Sequence, residues 1–228
     1  MKKLLKILGI IVVIIMAALT ICYFVFNESL PQGQSGAEAD AMAKRMMAAM
    51  NYEAWEATET VSWTFRGGHD YEWNKVDDVV TVRWDEHEVV LNTDTQSGIV
   101  SNGGNYSFEE VNGLVQTAID FFNNDSFWLA APFKAFDPGT ERSIVTLKDG
   151  RKGLMVTYTS GGSTPGDSYV WVLDENDRPS SVKMWVSILP LGGMEFTWEN
   201  YITLSSGAMV AKDHILGGGM NVELTNIK

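Results

Sequence analysis

The spacing of apolar residues changes period several times along the chain. Residues 7–26, ILGIIVVIIMAALTICYFVF, form an uncharged run. In helical form, at about 1.5 Å per residue, it reaches across a hydrocarbon core about 30 Å thick. From Ala37 to about Trp55 the period is helical, with Ala39, Met42, Ala43, Met46, Met50 and Trp55 near one face. The period then drops to two. Val61, Trp63 and Phe65 alternate with Ser62, Thr64 and Arg66, and Gly67-Gly68 offers a two-residue hairpin turn. Tyr71 and Trp73, then Val80, Val82 and Trp84, continue the alternation, and Asp85-Glu86 turns the chain toward Val89 and Leu91.

A second helix is predicted from Ser107 to Phe122, because Val111, Leu114, Val115, Ala118, Ile119 and Phe122 keep one face apolar. Ser107 and Glu110 have the spacing of a capping box. Asn123-Asn124 is expected to end this helix, ahead of an apolar run, Phe127 to Phe136, broken by Pro132. The remainder alternates strand and turn. Its short loops imply antiparallel neighbours, because a parallel pair needs a long crossover. The expected class is mainly β (α+β), with about ten or eleven strands, short hairpin loops and two helices in the domain.

Charge places these elements. Lys2, Lys3 and Lys6 precede the apolar run and no basic residue follows it closely, which predicts an inside N-terminus. Residues 1–6 are then a cytoplasmic stub, 7–26 a single-pass signal anchor and 27–36 (NESLPQGQSG) a flexible spacer. Residues 37–228 form one extracytoplasmic, periplasmic domain. A cleaved signal is the weaker reading, since Tyr23 to Phe26 stand where small residues are wanted. A lipidated Cys22 is disfavoured by Ile21 before it. No cysteine follows Cys22, so the fold does not depend on disulfides. Without the three N-terminal lysines, 14 basic residues stand against 29 acidic ones, a net charge of −15. That balance argues against nucleic acid as a partner.

The motif tests for chemistry fail. Gly161-Gly162-Ser163-Thr164-Pro165 lacks the final glycine of a nucleophile elbow. His69, His87 and His214 lie on separate strands without metal-ligand spacing, and they read as turn and surface residues. Asp174 to Asp177 lacks the glycine and glutamate of a calcium loop. Asp120, Asn123 and Asp125 read as solvated helix-end residues. No enzyme activity, metal or cofactor is expected.

The aromatic residues carry the positive signal. Trp63, Phe65, Tyr71, Trp73, Trp84, Phe196 and Trp198 share alternating strand positions, and such a face must meet something apolar. If helices leave it partly uncovered, it lines a cavity for a lipid or other hydrophobic ligand. Met46, Met50, Phe127, Trp128 and Phe133 would then form an adaptable lid. If the helices fill it, the chain is a structural or interaction module that presents an acidic surface to an envelope protein.

The order of elements, an anchored chain with a helix, an antiparallel meander, an inserted helix and more strands, resembles the LolA/LolB-like superfamily of outer-membrane lipoprotein carriers. The strings Gly68-His69-Asp70-Tyr71-Glu72-Trp73, Phe127 to Phe133 and Asp137-Pro138-Gly139 are similar to those of an uncharacterised, Bacteroidetes-type bacterial family. The resemblance implies a half-open antiparallel β-barrel over residues 37–228 with helices covering its concave face. It also implies an apolar cavity. An uncleaved anchor departs from a soluble shuttle.

Overall fold

A computed structural model describes residues 2–160, 165–189, 191–217 and 219–228. The candidate nucleophile loop around Ser163 lies outside the described residues. The N-terminal run is one helix, α1 (Lys2–Phe26), whose stretch Lys6–Phe26 is long and apolar enough to cross a membrane.

The sheet is antiparallel throughout and larger than expected. Its first meander comprises β2 (Thr60–Phe65), β3 (His69–Asn74), β4 (Val79–Trp84), β5 (His87–Asn92) and β6 (Ser97–Val100). Its second comprises β7 (Thr140–Thr146), β8 (Lys152–Tyr158), β9 (Ser168–Leu173), β10 (Pro179–Trp185) and β11 (Met194–Thr197). A C-terminal hairpin, β14 (Asp213–Leu216) and β15 (Met220–Thr225), is inserted between β11 and β2 and joins the two meanders. With β1 (Gln34–Ser35) on the edge of β7, the sheet has 13 strands and is not closed, since its ends are β1 and β6. A small pair, β12 (Ile202–Thr203) with β13 (Met209–Val210), stands apart. The turn after β2 takes three residues, not two: Phe65 pairs with His69, and Arg66 and Gly67 both adopt positive φ.

The helices differ from expectation in an informative way. The first breaks into α2 (Ala37–Ala49) and α3 (Tyr52–Glu56), because Asn51 adopts the left-handed conformation at φ 58°. The next, α4, runs Phe108–Ala130 and passes straight through Asn123-Asn124 into a 3₁₀ turn at Ala131–Lys134. Each asparagine costs helix only a few tenths of a kcal/mol. Burial of Trp128 and Leu129 outweighs that, at about 2 kcal/mol for a large apolar side chain. The capping box forms as predicted, Glu110 N–H donating to Ser107 Oγ and Ser107 N–H to the Glu110 carboxylate.

The sheet buries both faces. The inner face packs against α2, α4 and the 3₁₀ turn in one large core. On the outer face Val145, Leu147, Met155, Val170 and Val172 form a second cluster, with Trp185 against it. Residues 27–36, read from composition as a flexible spacer, lie along this outer side. Glu28 pairs with the buried Lys183 at 2.8 Å, its carbonyl accepts from Trp185 Nε1 at 2.8 Å, and its N–H donates to the Gly192 carbonyl at 2.9 Å. Gly33 packs so closely that a Cβ there would lie 2.1 Å from Ser143 Oγ.

Candidate functional site

The aromatic strand residues converge beneath α4. Alternation on β2 and β3 points Trp63 and Tyr71 to the inner face, where their rings stack with centroids 4.5 Å apart. Phe122 of α4 sits over Trp63, Tyr71 and Trp73 at 6.4, 6.3 and 5.3 Å. Its neighbour Phe121 stacks on His69 at 3.9 Å and meets Trp84 edge-on at 5.5 Å. Phe65 is buried beside His69.

Six residues further along α4, a second nest forms on the other meander. Trp128 contacts Phe196 at 4.9 Å and Trp198 at 5.9 Å, and Phe127 lies against Tyr169 and Trp171. All seven residues predicted to line a cavity thus belong to one core, in two groups bridged by α4. The five lid candidates belong to it too. Met46, Met50, Trp128 and Phe133 are buried, Phe127 is half-buried, and Phe133 stacks flat on Trp55 at 4.5 Å. The face is therefore filled by the protein's own side chains. A concavity of 570 Å³ instead lies outside, lined by Lys44, Met47, Ala48, Asn51, Tyr52, Glu53 and Phe136.

Two polar features inside this core run against the sequence reading. Asp125, expected to be solvated, is 1% exposed. Its Oδ2 accepts from the Tyr71 hydroxyl at 2.5 Å and lies 2.7 Å from His69 Nδ1, and its Oδ1 accepts from Asn124 at 2.7 Å. Burial first, and the Asp125 charge second, push the Tyr71 phenol well above its ordinary range, so Tyr71 stays a neutral donor. The helix phase Val111, Leu114, Val115, Ala118, Ile119, Phe122 continues to 125 and 126. Asp125 was therefore legible on the apolar stripe, had the helix not been ended at Asn123.

His214, expected at the surface, is wholly buried. Its ring lies 3.9 Å from that of Trp198 and 5.2 Å from that of Trp128. Backbone atoms of Thr197 and Trp128 come near, but among the described residues neither ring nitrogen has a partner in hydrogen-bond geometry. Burial lowers its pKa to about 3, opposed by nearby Asp213. The imidazole is neutral. The Nε1 atoms of Trp63, Trp73 and Trp198 are likewise buried with no acceptor among the described residues. His87 differs: half-buried at the start of β5, it lies 3.4 Å from the Tyr106 hydroxyl. The described residues include no group of three or more His, Cys, Asp or Glu side chains placed to hold a metal.

No family model matches the chain, and no curated protein matches it. Among solved structures it is similar to a DUF1329 family protein from Desulfovibrio piger, at TM-score 0.38 and 10% identity over 83% of this chain and 92% of that one. It is also similar to a candidate outer membrane lipoprotein-sorting protein domain from Vibrio parahaemolyticus, at TM-score 0.36 and 10% identity over 82% of this chain and 92% of that one. Similarity this distant carries no weight on function.

Proposed function

We propose that the chain is a non-enzymatic binding domain of the cell envelope, held by α1 in a membrane with its sheet on the extracytoplasmic side. It takes a lipid or acyl chain between α4 and the half-barrel formed by the sheet. The observation that carries this reading is the set of buried indole N–H groups on the inner face, those of Trp63, Trp73 and Trp198, which have no acceptor among the described residues. Buried polar atoms are as a rule satisfied, and each orphan costs about 1–3 kcal/mol. A ligand bearing ester or carboxyl oxygens offers these donors acceptors once α4 lifts. The helix is suited to lifting. Its first turns, residues 108–117, are its least buried part, with Leu114 and Val115 only half-buried against the core, and the capping box closes its N-terminal turn.

A second reading rests on the complete burial of Met46, Met50, Leu129 and Trp128. In that reading the core is permanently self-filled, and the domain presents its acidic surface to an envelope protein. A photoactivatable fatty acid supplied to cells expressing the full chain separates the two. Ligand binding predicts adducts on α4 and on β2 and β3, mapped by peptide mass spectrometry, in addition to those on the lipid-embedded α1. Adducts confined to residues 2–26 would overturn the first reading and leave the second.

A further inference from the structure

We infer that the loop after β10, carrying the exposed Ile188 and the half-buried Leu191, sits in the lipid interface beside α1, giving the domain a second membrane contact and one fixed orientation. This inference rests on the reading of α1 as a membrane anchor. A free spacer of ten residues would let the domain tumble above the bilayer. Here Asn27 alone separates the end of α1 from the docked Glu28, and the Asn27 N–H still donates to the Tyr23 carbonyl at 2.9 Å, continuing the helix.

The docking site is the loop itself. Asn27 Oδ1 accepts from Gly192 N–H at 2.8 Å, and Glu28 N–H donates to the Gly192 carbonyl at 2.9 Å. A Cβ at Gly192 would come within 2.6 Å of the Glu28 carbonyl oxygen, and one at Gly193 within 2.7 Å of Glu28 Cβ. The two glycines therefore permit the close approach that holds the loop against the outer end of α1. Whatever depth Phe26 has in the membrane, the loop lies within a few residues' reach of it.

Its chemistry matches that place. No charged residue occurs from Met184 to Met194, in a region otherwise rich in acid. Ile188 is 67% exposed, and Leu30 on the docked segment is 45% exposed, so apolar surface faces outward on both sides of the contact. Of the charges nearest it, Lys183 and Glu28 neutralise each other in an ion pair, and the buried Asp167 carboxylate accepts from the Ser187 N–H at 2.9 Å. The net negative domain gains nothing electrostatically from anionic lipid. The partner this surface fits is the apolar side of the headgroup layer, where aliphatic side chains are favoured by burial and uncharged backbone is tolerated.

The test uses the full chain with Cys22→Ser, reconstituted in phosphatidylcholine vesicles. Single cysteines at Ile14, Ile188 or Val76 carry an environment-sensitive fluorophore, and lipid-borne nitroxide is the quencher. Val76 is an exposed apolar control on the β3–β4 turn. The expected result is blue-shifted, quenched emission at positions 14 and 188 and aqueous emission at 76. Quenching at 14 with aqueous emission at 188 overturns the interface contact while leaving the anchor standing. Aqueous emission at 14 overturns the anchor and this inference with it. Gly192→Val, whose side chain would press on the Glu28 carbonyl and on Trp185 at the outer face, parts the loop from the docked segment without entering the inner core and is expected to shift the 188 probe toward the aqueous signal. An unchanged signal would show that the docked segment does not place the loop.

Discussion

His214→Leu should remove a large part of the domain's acid sensitivity. The imidazole is buried between Trp198 and Trp128, and its pKa falls from the ordinary 6.5 to about 3. The folded state thus refuses a proton that the unfolded chain accepts below about pH 6.5. Unfolding is favoured as pH falls from there toward 3, stability returns as pH rises through the same window, and little dependence remains above it. At up to about 1.4 kcal/mol per pH unit, a change from pH 7 to about pH 4.5 costs about 2–3 kcal/mol through this residue alone. For a domain of this size that corresponds to roughly 5–10 °C in the unfolding midpoint. Leucine matches the ring in volume and does not titrate. Carboxylates other than the neighbouring Asp213, and the other histidines, contribute equally to both proteins, so the difference between wild type and variant isolates His214 together with its effect on Asp213. Thermal unfolding followed by tryptophan fluorescence across this pH range provides the curves. Parallel curves would refute the reasoning, as would an imidazole that titrates near 6.5 by NMR in the folded protein.

Asp125→Ala strips the acceptor from Tyr71 and His69 inside the core and should cost about 3 kcal/mol, against about 1–2 for Tyr71→Phe. The double variant should be less destabilised than the sum by about 1 kcal/mol, measured by denaturant unfolding, and strict additivity would deny the contact. Gly33→Val drives a side chain into Ser143 and should lift the docked segment, at about 1–3 kcal/mol if the strain is absorbed by the sheet. Amide exchange at Gln34 and Ser35 reports it, and unchanged protection there would mean that the close approach is not what fixes β1 to β7.

The amino-acid sequence by itself determined the elements whose signals are local. The apolar length of residues 7–26, the alternation through Trp63, Tyr71, Val82 and Leu91, and the Ser107–Glu110 cap each act within a few residues, so each was legible. It also marked the aromatic residues of the inner face, because strand period alone assigns a side. Only the tertiary structure decided how the two meanders join, since β15 pairs with β2 near the other end of the domain, and short loops specify neighbours, not closure. It likewise decided the length of α4, where burial of Trp128 overrode two weak asparagine stops, and with it the place of Asp125. The buried His214 had no sequence signal, because the irregular stretch before β14 resets the alternation. Residues 27–36 look flexible by composition, yet they are ordered by contacts with Lys183, Trp185 and Ser143 that lie more than a hundred residues away. Long-range contacts of this kind contribute free energy that no local pattern encodes.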